Sequence, residues 1–485
     1  MLFRVVCTIH KYKYEPGLEL VCLFRSKQKS WWFDVSKIYD LTEGVIWKKL
    51  LLFFVPIVVG TLFQQLYNAV DAVIVGKWVS TQALAAVGGS ASQVSTLFIG
   101  FFVAVTGGAS AVIAQLVGAR DGENVSKAVH ASMTFFILAG VVMTVCIIPA
   151  VPTILRWMQT PEDTMEESIL YLRIYFGGSV FLMIFNMGSS ILRAVGDSRR
   201  PLYYLVICCG LNIVLDLVCV IVLNMGIAGA AWATVASEGL CAFLVMFQLC
   251  RTSEVYRVNL SQLRIHGQVM KKMLRVGIPA GLQASMYNIA NLIIQVAINT
   301  LGTAVVAGWS LAMKLDGIYA AISGALSLAV MNFVGQNFGA GKLDRVKKTF
   351  KVAMLIFLVV TVVMEAALLS IGKFGMPILN GDPEVQAAAW TVLLCLVPFY
   401  FVWTLVEVTS GVLRGCGDAF FPVVITCVCI CVVRMVWLAT AFRLHPGVTT
   451  LGMIYPISWG LTAVCLTTYY IRGNWLNRVL PGGNS

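Results

Sequence analysis

The sequence predicts an all-α integral membrane protein with twelve transmembrane helices in two six-helix bundles, related by a pseudo-two-fold axis along the membrane normal. Three observations carry this prediction. Of 485 residues, 59% are hydrophobic and 12% charged, and mean hydropathy is +0.85; a soluble domain is about half apolar and about a quarter charged. Twelve mostly apolar stretches approach the roughly 20 residues that a helix needs to cross a bilayer. Short sequence blocks also recur 221 residues apart. The composition excludes a cytosolic enzyme, a disulfide scaffold and a nucleic-acid-binding domain. Several of the fourteen cysteines lie inside apolar runs, such as Cys208, Cys209, Cys427, Cys429 and Cys431, where Cys acts as a small hydrophobe rather than a metal ligand.

In chain order the spans are expected near 50–75, 86–116, 128–150, 168–191, 202–224, 227–250, 276–300, 305–335, 349–372, 387–412, 422–442 and 451–471. Residues 1–40 precede them as an extension with no clear period, read as disordered or as an over-extended start. Thr42 is expected to cap the first helix. Nine Lys and Arg residues lie at or before Lys49, and the loops at 119–127, 193–201, 251–275 and 338–348 are basic. The loop at 151–167 instead carries Glu162, Asp163, Glu166 and Glu167. By the positive-inside rule both termini are cytoplasmic, as an even helix count requires. The expected units are therefore 41–250, a linker at 251–275, 276–472 and a tail at 473–485. No loop is long enough for a soluble catalytic domain, so a carrier or channel fits better than an enzyme.

The repeat orders the two halves. Leu192-Arg193-x-x-Gly196-Asp197 returns as Leu413-Arg414-x-x-Gly417-Asp418, and Gln115-x-x-Gly118-Ala119 as Gln336-x-x-Gly339-Ala340. Tyr67-Asn68-x-x-Asp71 returns 220 residues later as Tyr287-Asn288-x-x-Asn291. Six helices bring the chain back to its starting side, so the halves share an orientation and flank a central site, the plan of many carriers.

Ionisable residues inside spans need a partner or a function, since each costs roughly 2.5–3.5 kcal/mol at mid-membrane. In the first half these are Asp71, Asp216 and Glu238. Asn212 shares a helical face with Asp216, and Thr234 with Glu238, each pair being four residues apart. Carboxylates with an amide and a hydroxyl offer hard oxygen ligands to sodium, or can share a proton. The second half carries Lys314, Asp316, Glu365, Glu407 and Arg434 instead. Glu407 and Arg434 either pair or meet substrate, and Lys314 and Asp316 diverge on their helix. Lys314 and Arg434 are the expected deep basic groups. Pro56 in helix 1 is a kink or a hinge. Met183, Phe185, Met187, Trp309, Met313, Tyr319, Met331 and Phe333 are core or the lining of a soft cavity.

Together these residues resemble the multidrug and toxic compound extrusion (MATE) family, in its DinF-like bacterial branch. The resemblance runs from about Leu41 to Arg472. It rests on Pro56, Tyr67-Asn68-x-x-Asp71 with Val75-Gly76, the paired Gln-x-x-Gly-Ala and Leu-Arg-x-x-Gly-Asp blocks, Asn212-x-x-x-Asp216 and Gly229-Ala230-Ala231-Trp232-Ala233-Thr234. It implies a secondary antiporter in a bacterial inner membrane. Such a carrier exports organic, often cationic or amphipathic compounds against protons or sodium, with the cation held by Asp71, Asn212, Asp216 and Thr234. Other branches carry a Glu eight residues after the helix-7 proline; here that position is Tyr287. No cofactor, nucleotide or nucleic-acid partner is expected, nor a metal beyond sodium at the coupling site, and the chain is expected to work as a monomer. The main alternative is a flippase for lipid-linked substrates of the same distant superfamily, which should place several Arg or Lys in its cavity.

Overall fold

The computed structural model describes residues 40–376, 381–473 and 475–476. The extension over 1–40 therefore lies outside the described residues except for Asp40, and the tail over 473–485 except for Gly473, Trp475 and Leu476. The described chain contains twelve long helical segments and no strand. They are α1 (Ile46–Trp78), α2 (Gln82–Gly118), α3 (Gly122–Trp157), α4 (Glu162–Gly177 continued by Ser179–Ala194), α5 (Arg199–Val222) and α6 (Gly226–Arg251). The second half repeats the plan with α7 (Gly267–Asn299), α8 (Thr303–Gly339), α9 (Leu343–Gly375), α10 (Pro383–Gly415), α11 (Phe420–Leu444) and α12 (Val448–Arg472).

Ten of these helices are long and apolar enough to cross a membrane singly, and α4 is an eleventh if its halves count as one span bent by 50°. The bend falls at Gly177-Gly178, and α10 is irregular at the matching place, Val397–Phe399, where Pro398 withholds an N–H. α7 is the most polar, with Gln283, Tyr287, Asn288, Asn291 and Gln295 in its middle. Large apolar side chains on several helices, among them Val145, Phe243, Val296, Leu355, Val363 and Val464, point outward and are exposed. Only lipid could cover so many of them.

Helix ends follow local chemistry. Asp121 caps α3 by accepting the Asn124 backbone N–H at 3.1 Å and its side-chain amide at 2.6 Å. These bonds hold the Asp121 carboxyl below its usual range. Thr42 is not the α1 cap that the sequence predicts, since α1 begins after Val45 without a side-chain cap. Thr42 is buried and receives Lys342 Nζ on its carbonyl at 3.1 Å, so this stretch ties α1 to the second half. Gly196 and Gly417 end α4 and α10 at φ +96° and +94°, a left-handed turn that favours glycine. The ends of α2 and α8 need the same turn. Gly341 supplies it at φ +71°, whereas Arg120 adopts it at φ +57°.

The recurring blocks meet one another across the halves. α2 packs along α7 and α8, and α1 along α8. Where α2 and α8 cross near the basic loops, Gly118 lies against the Gln336 backbone and Gly339 against the Gln115 backbone, so closely that a Cβ on either would collide with the facing carbonyl. Gln115 Nε2 donates to the Gly415 carbonyl at 2.8 Å, and Gln336 Nε2 to the Ala194 carbonyl at 2.7 Å. Each half thus caps the end of a helix in the other, and the seam is closed on this side.

Candidate functional site

Two regions beyond that seam gather the polar residues. The first lies inside the first half. Asp216 is fully buried, Asn212 is 2% exposed and Asp71 7%. Oδ1 of Asp71, both carboxylate oxygens of Asp216, both amide atoms of Asn212 and Oε2 of Glu238 are buried without a hydrogen-bond partner. So many orphaned polar atoms in one place is unusual, because each unsatisfied buried group costs about 1–3 kcal/mol and more when charged. Thr234 Oγ1 donates to the Ala230 carbonyl at 3.1 Å and keeps its lone pairs free. A cavity of about 40 Å³ opens between Asn212, Thr234, Glu238, Gln64, Tyr67 and Asn186, room for a water or a small cation. Asp216 is within electrostatic reach of Asp71, and Tyr171 within reach of Asp71, Glu238 and Asp216.

The donor set is carboxylate, amide and hydroxyl oxygen. It fits a proton or a hard cation held by oxygens, with like charges close enough that one added positive charge relieves both carboxylates. Among the described residues no three of His, Cys, Asp and Glu are grouped to hold a metal ion.

The second half fills the corresponding place with its own cation. Asn291, which stands where Asp71 stands, accepts from Arg434 Nη1 at 3.0 Å. Arg434 is 2% exposed, its Nε reaches Ser458 Oγ at 3.4 Å, and its guanidinium lies 4.3 Å over the Tyr455 ring. The positions 221 residues after Asp216, Thr234 and Glu238 are Trp437, Tyr455 and Trp459. A tethered guanidinium among amide, hydroxyl and aromatic groups already supplies the positive charge there and disfavours a second cation.

The pairing of Glu407 with Arg434 is corrected by this geometry. Glu407 Oε2 lies 3.9 Å from Arg414 Nη2 instead, because α10 places both on the face toward the gap between the halves. Asp316 accepts the Tyr400 hydroxyl at 2.6 Å within an aromatic stack. Lys314 is exposed, and although the two diverge on their helix, neither Lys314 nor Asp316 lines these cavities. Glu365 keeps Oε1 buried and unpartnered.

The second region lies between the halves. A cavity of about 330 Å³ is bounded by α2, α4, α7, α8 and α10, with Arg193, Tyr287, Met331, Glu407 and Arg414 on its wall. A neighbouring cavity of about 300 Å³ shares Arg193 and Leu328 and reaches Pro56, Gly60 and Gln64 of α1. That second cavity also shares Gln64, Phe185, Asn186 and Leu205 with the small acidic one, so the lining of the cleft continues to Asn212, Thr234 and Glu238. Asp71 and Asp216 are buried and line neither cavity. Of the apolar candidates, Met331 and Phe185 line cavities, whereas Met183, Met187, Trp309, Tyr319 and Phe333 are core. Of the two expected deep basic groups, Arg434 is buried but lies in the second half's own site, whereas Lys314 is exposed. The cleft is reached instead by Arg193 and Arg414, which read in the sequence as helix-end charges. Tyr171 and Asn186 also belong to this region, and no motif in the sequence singles them out. Their signal is a polar stripe at helical spacing along α4, from Tyr171 to Arg193.

Comparison with known proteins is consistent with the twofold plan. The MatE family model matches the chain twice, at residues 56–218 and 279–439. The probable multidrug resistance protein YpnP of Bacillus subtilis is 26% identical over 90% of this chain and 98% of its own length. The multidrug export protein MepA of Staphylococcus haemolyticus is 23% identical over 79% of this chain and 82% of its own. A crystal structure of MATE in the straight conformation superposes with a TM-score of 0.83 at 23% identity, covering 91% of this chain and 99% of that one.

Proposed function

The chain belongs to the MatE family, and from that premise we propose that it is a secondary active antiporter exporting small organic compounds in exchange for protons or sodium. The observation that carries this reading is the asymmetry between the halves. One half buries unpartnered carboxylates beside the cleft lining, and the other fills the same place with Arg434. An exchangeable cation thus has one place to bind, at Asp71, Asn212, Asp216 and Thr234, with Glu238 beside Asn212 and Thr234 on the wall of the small cavity. Its arrival neutralises Asp71, and α1 then shifts about Pro56, which lies on the cleft wall fifteen residues earlier on the same helix. Rocking of the halves opens the seam at Gly118 and Gly339 and releases the cation to the other side.

The energetics suffice. A potential of about 100 mV supplies roughly 2.3 kcal/mol per charge moved inward, or about fifty-fold accumulation of an uncharged substrate exchanged for one cation. The protein would act as a monomer in a bacterial inner membrane with its basic loops and both termini in the cytoplasm, needing no nucleotide or cofactor. A flippase is the second reading, and the arginines of the cleft are the observation that favours it.

The test is uptake of a fluorescent organic compound into inverted vesicles under a proton or a sodium gradient. Uptake that collapses with the matching ionophore is expected, and the effective gradient names the ion. Folded protein that moves nothing under either gradient would overturn the antiporter.

A further inference from the structure

We propose that the cleft between the halves binds the anionic group, phosphate or carboxylate, of an organic molecule with an apolar body, and that Arg193 and Arg414 are the residues that hold it. The inference deepens the antiporter reading, on which it rests only in taking the cleft as the substrate path.

Arg193 and Arg414 occupy equivalent positions of the repeat, at the ends of α4 and α10, and both line the larger cavity. Arg193 belongs to no ion pair among the described residues. Its Nη2 donates to Ser190 Oγ at 3.0 Å, and its Nε is buried without a partner. Arg414 donates from Nη2 to Ser327 Oγ at 3.1 Å and from Nε to the Ser410 carbonyl at 3.3 Å, and stands 3.9 Å from Glu407. Glu407 is the one carboxylate lining either cleft cavity, so two guanidinium groups face a single negative charge. The balance on the wall is one positive charge. A guanidinium with free N–H groups binds carboxylate or phosphate through a planar, two-pronged contact. Around it Val103, Val276, Ala280, Leu328, Met331 and Val406 give an apolar surface for the rest of the molecule. An organic cation in the same cavity would meet the uncompensated charge of Arg193.

The experiment is equilibrium binding to the purified full chain in nanodiscs of zwitterionic lipid, read by fluorescence anisotropy. Three pyrene probes share an apolar body and differ in the head: pyrenebutyrate, a pyrenebutyl trimethylammonium, and a pyrene-labelled phosphatidic acid. Both anions are expected to bind at least tenfold more tightly than the cation. Arg193→Gln should reduce anion affinity about tenfold or more and leave the cation unchanged or tighter, and Glu407→Gln should tighten the anions. Preference for pyrenebutyrate would identify a soluble acid as the source, and preference for the phosphatidic acid a membrane lipid. A cation that binds as tightly as the anions in the wild type would overturn the proposal without any variant. So would an Arg193→Gln protein, shown to be folded, with unchanged anion affinity. Binding needs no gradient, so a failure of driven transport counts against the antiporter and leaves this site standing.

Discussion

Asp216 shows how function and stability oppose each other at a single residue. A fully buried carboxylate with neither oxygen bonded is retained at a cost, and the cost marks its use. Asp216→Asn keeps the shape and removes the charge. It should stabilise the folded protein, seen as a raised melting temperature in detergent, because an unsatisfied buried charge costs more than an unsatisfied buried amide, while gradient-driven transport falls. A lower melting temperature would mean that the charge has a structural partner. Arg120 offers a comparison with no functional stake. It holds a left-handed turn that costs a side-chain-bearing residue roughly 1–2 kcal/mol, where the second half uses Gly341. Arg120→Gly should therefore stabilise by up to about 1 kcal/mol, because glycine's greater unfolded freedom offsets part of the gain. What is legible at this scale is the relation within one helix. Asn212 with Asp216, and Thr234 with Glu238, follow from a spacing of four. Whether Glu407 meets Arg434 or Arg414 depends on how helices face one another, which spacing does not encode.

At the scale of elements, the recurring blocks act in pairs across the seam. Gly118 and Gly339 let α2 and α8 cross in contact, and Gln115 and Gln336 each cap a helix of the opposite half. Gly118→Ala or Gly339→Ala should prevent closure on the side of the basic loops. A single cysteine at Ala119 or Ala340, in a background lacking the other cysteines, should then react several-fold faster with a membrane-impermeant thiol reagent than in the parent. Equal reactivity would show that the seam is not the gate. The start of α3 responds to acid. The Asp121 carboxyl is lowered by its bonds to Asn124, so its cap is complete above the ordinary carboxylate value of 3.8 and is lost as pH falls through the lowered one. Amide exchange at residues 122–126 should quicken only below about pH 4. Sequence periodicity found all twelve helices, because a span needs an apolar run whatever its neighbours are. It did not find Arg193 in the cleft, because a charge at a helix end reads as part of a basic loop until packing shows which way that end faces.

The whole molecule is one plan used twice with different chemistry in the two copies. The duplication is legible because glycine turns and closely packed blocks tolerate few substitutions, so they keep their spacing. The divergence is equally informative: Asp71 against Asn291, and Thr234 and Glu238 against Tyr455 and Trp459. One copy keeps a vacant charge and the other keeps Arg434, which satisfies its own half. Arg434→Gln should therefore lower thermal stability by about 1–3 kcal/mol, through the lost bonds to Asn291 and Ser458, and leave the identity of the coupling ion unchanged. The central claim is that the exchangeable cation acts at Asp71. It is tested most directly in proteoliposomes, where wild type and Asp71→Asn are compared for gradient-driven accumulation and for gradient-free exchange of one labelled substrate. Asp71→Asn should keep exchange and lose accumulation, whereas accumulation equal to wild type would contradict the account.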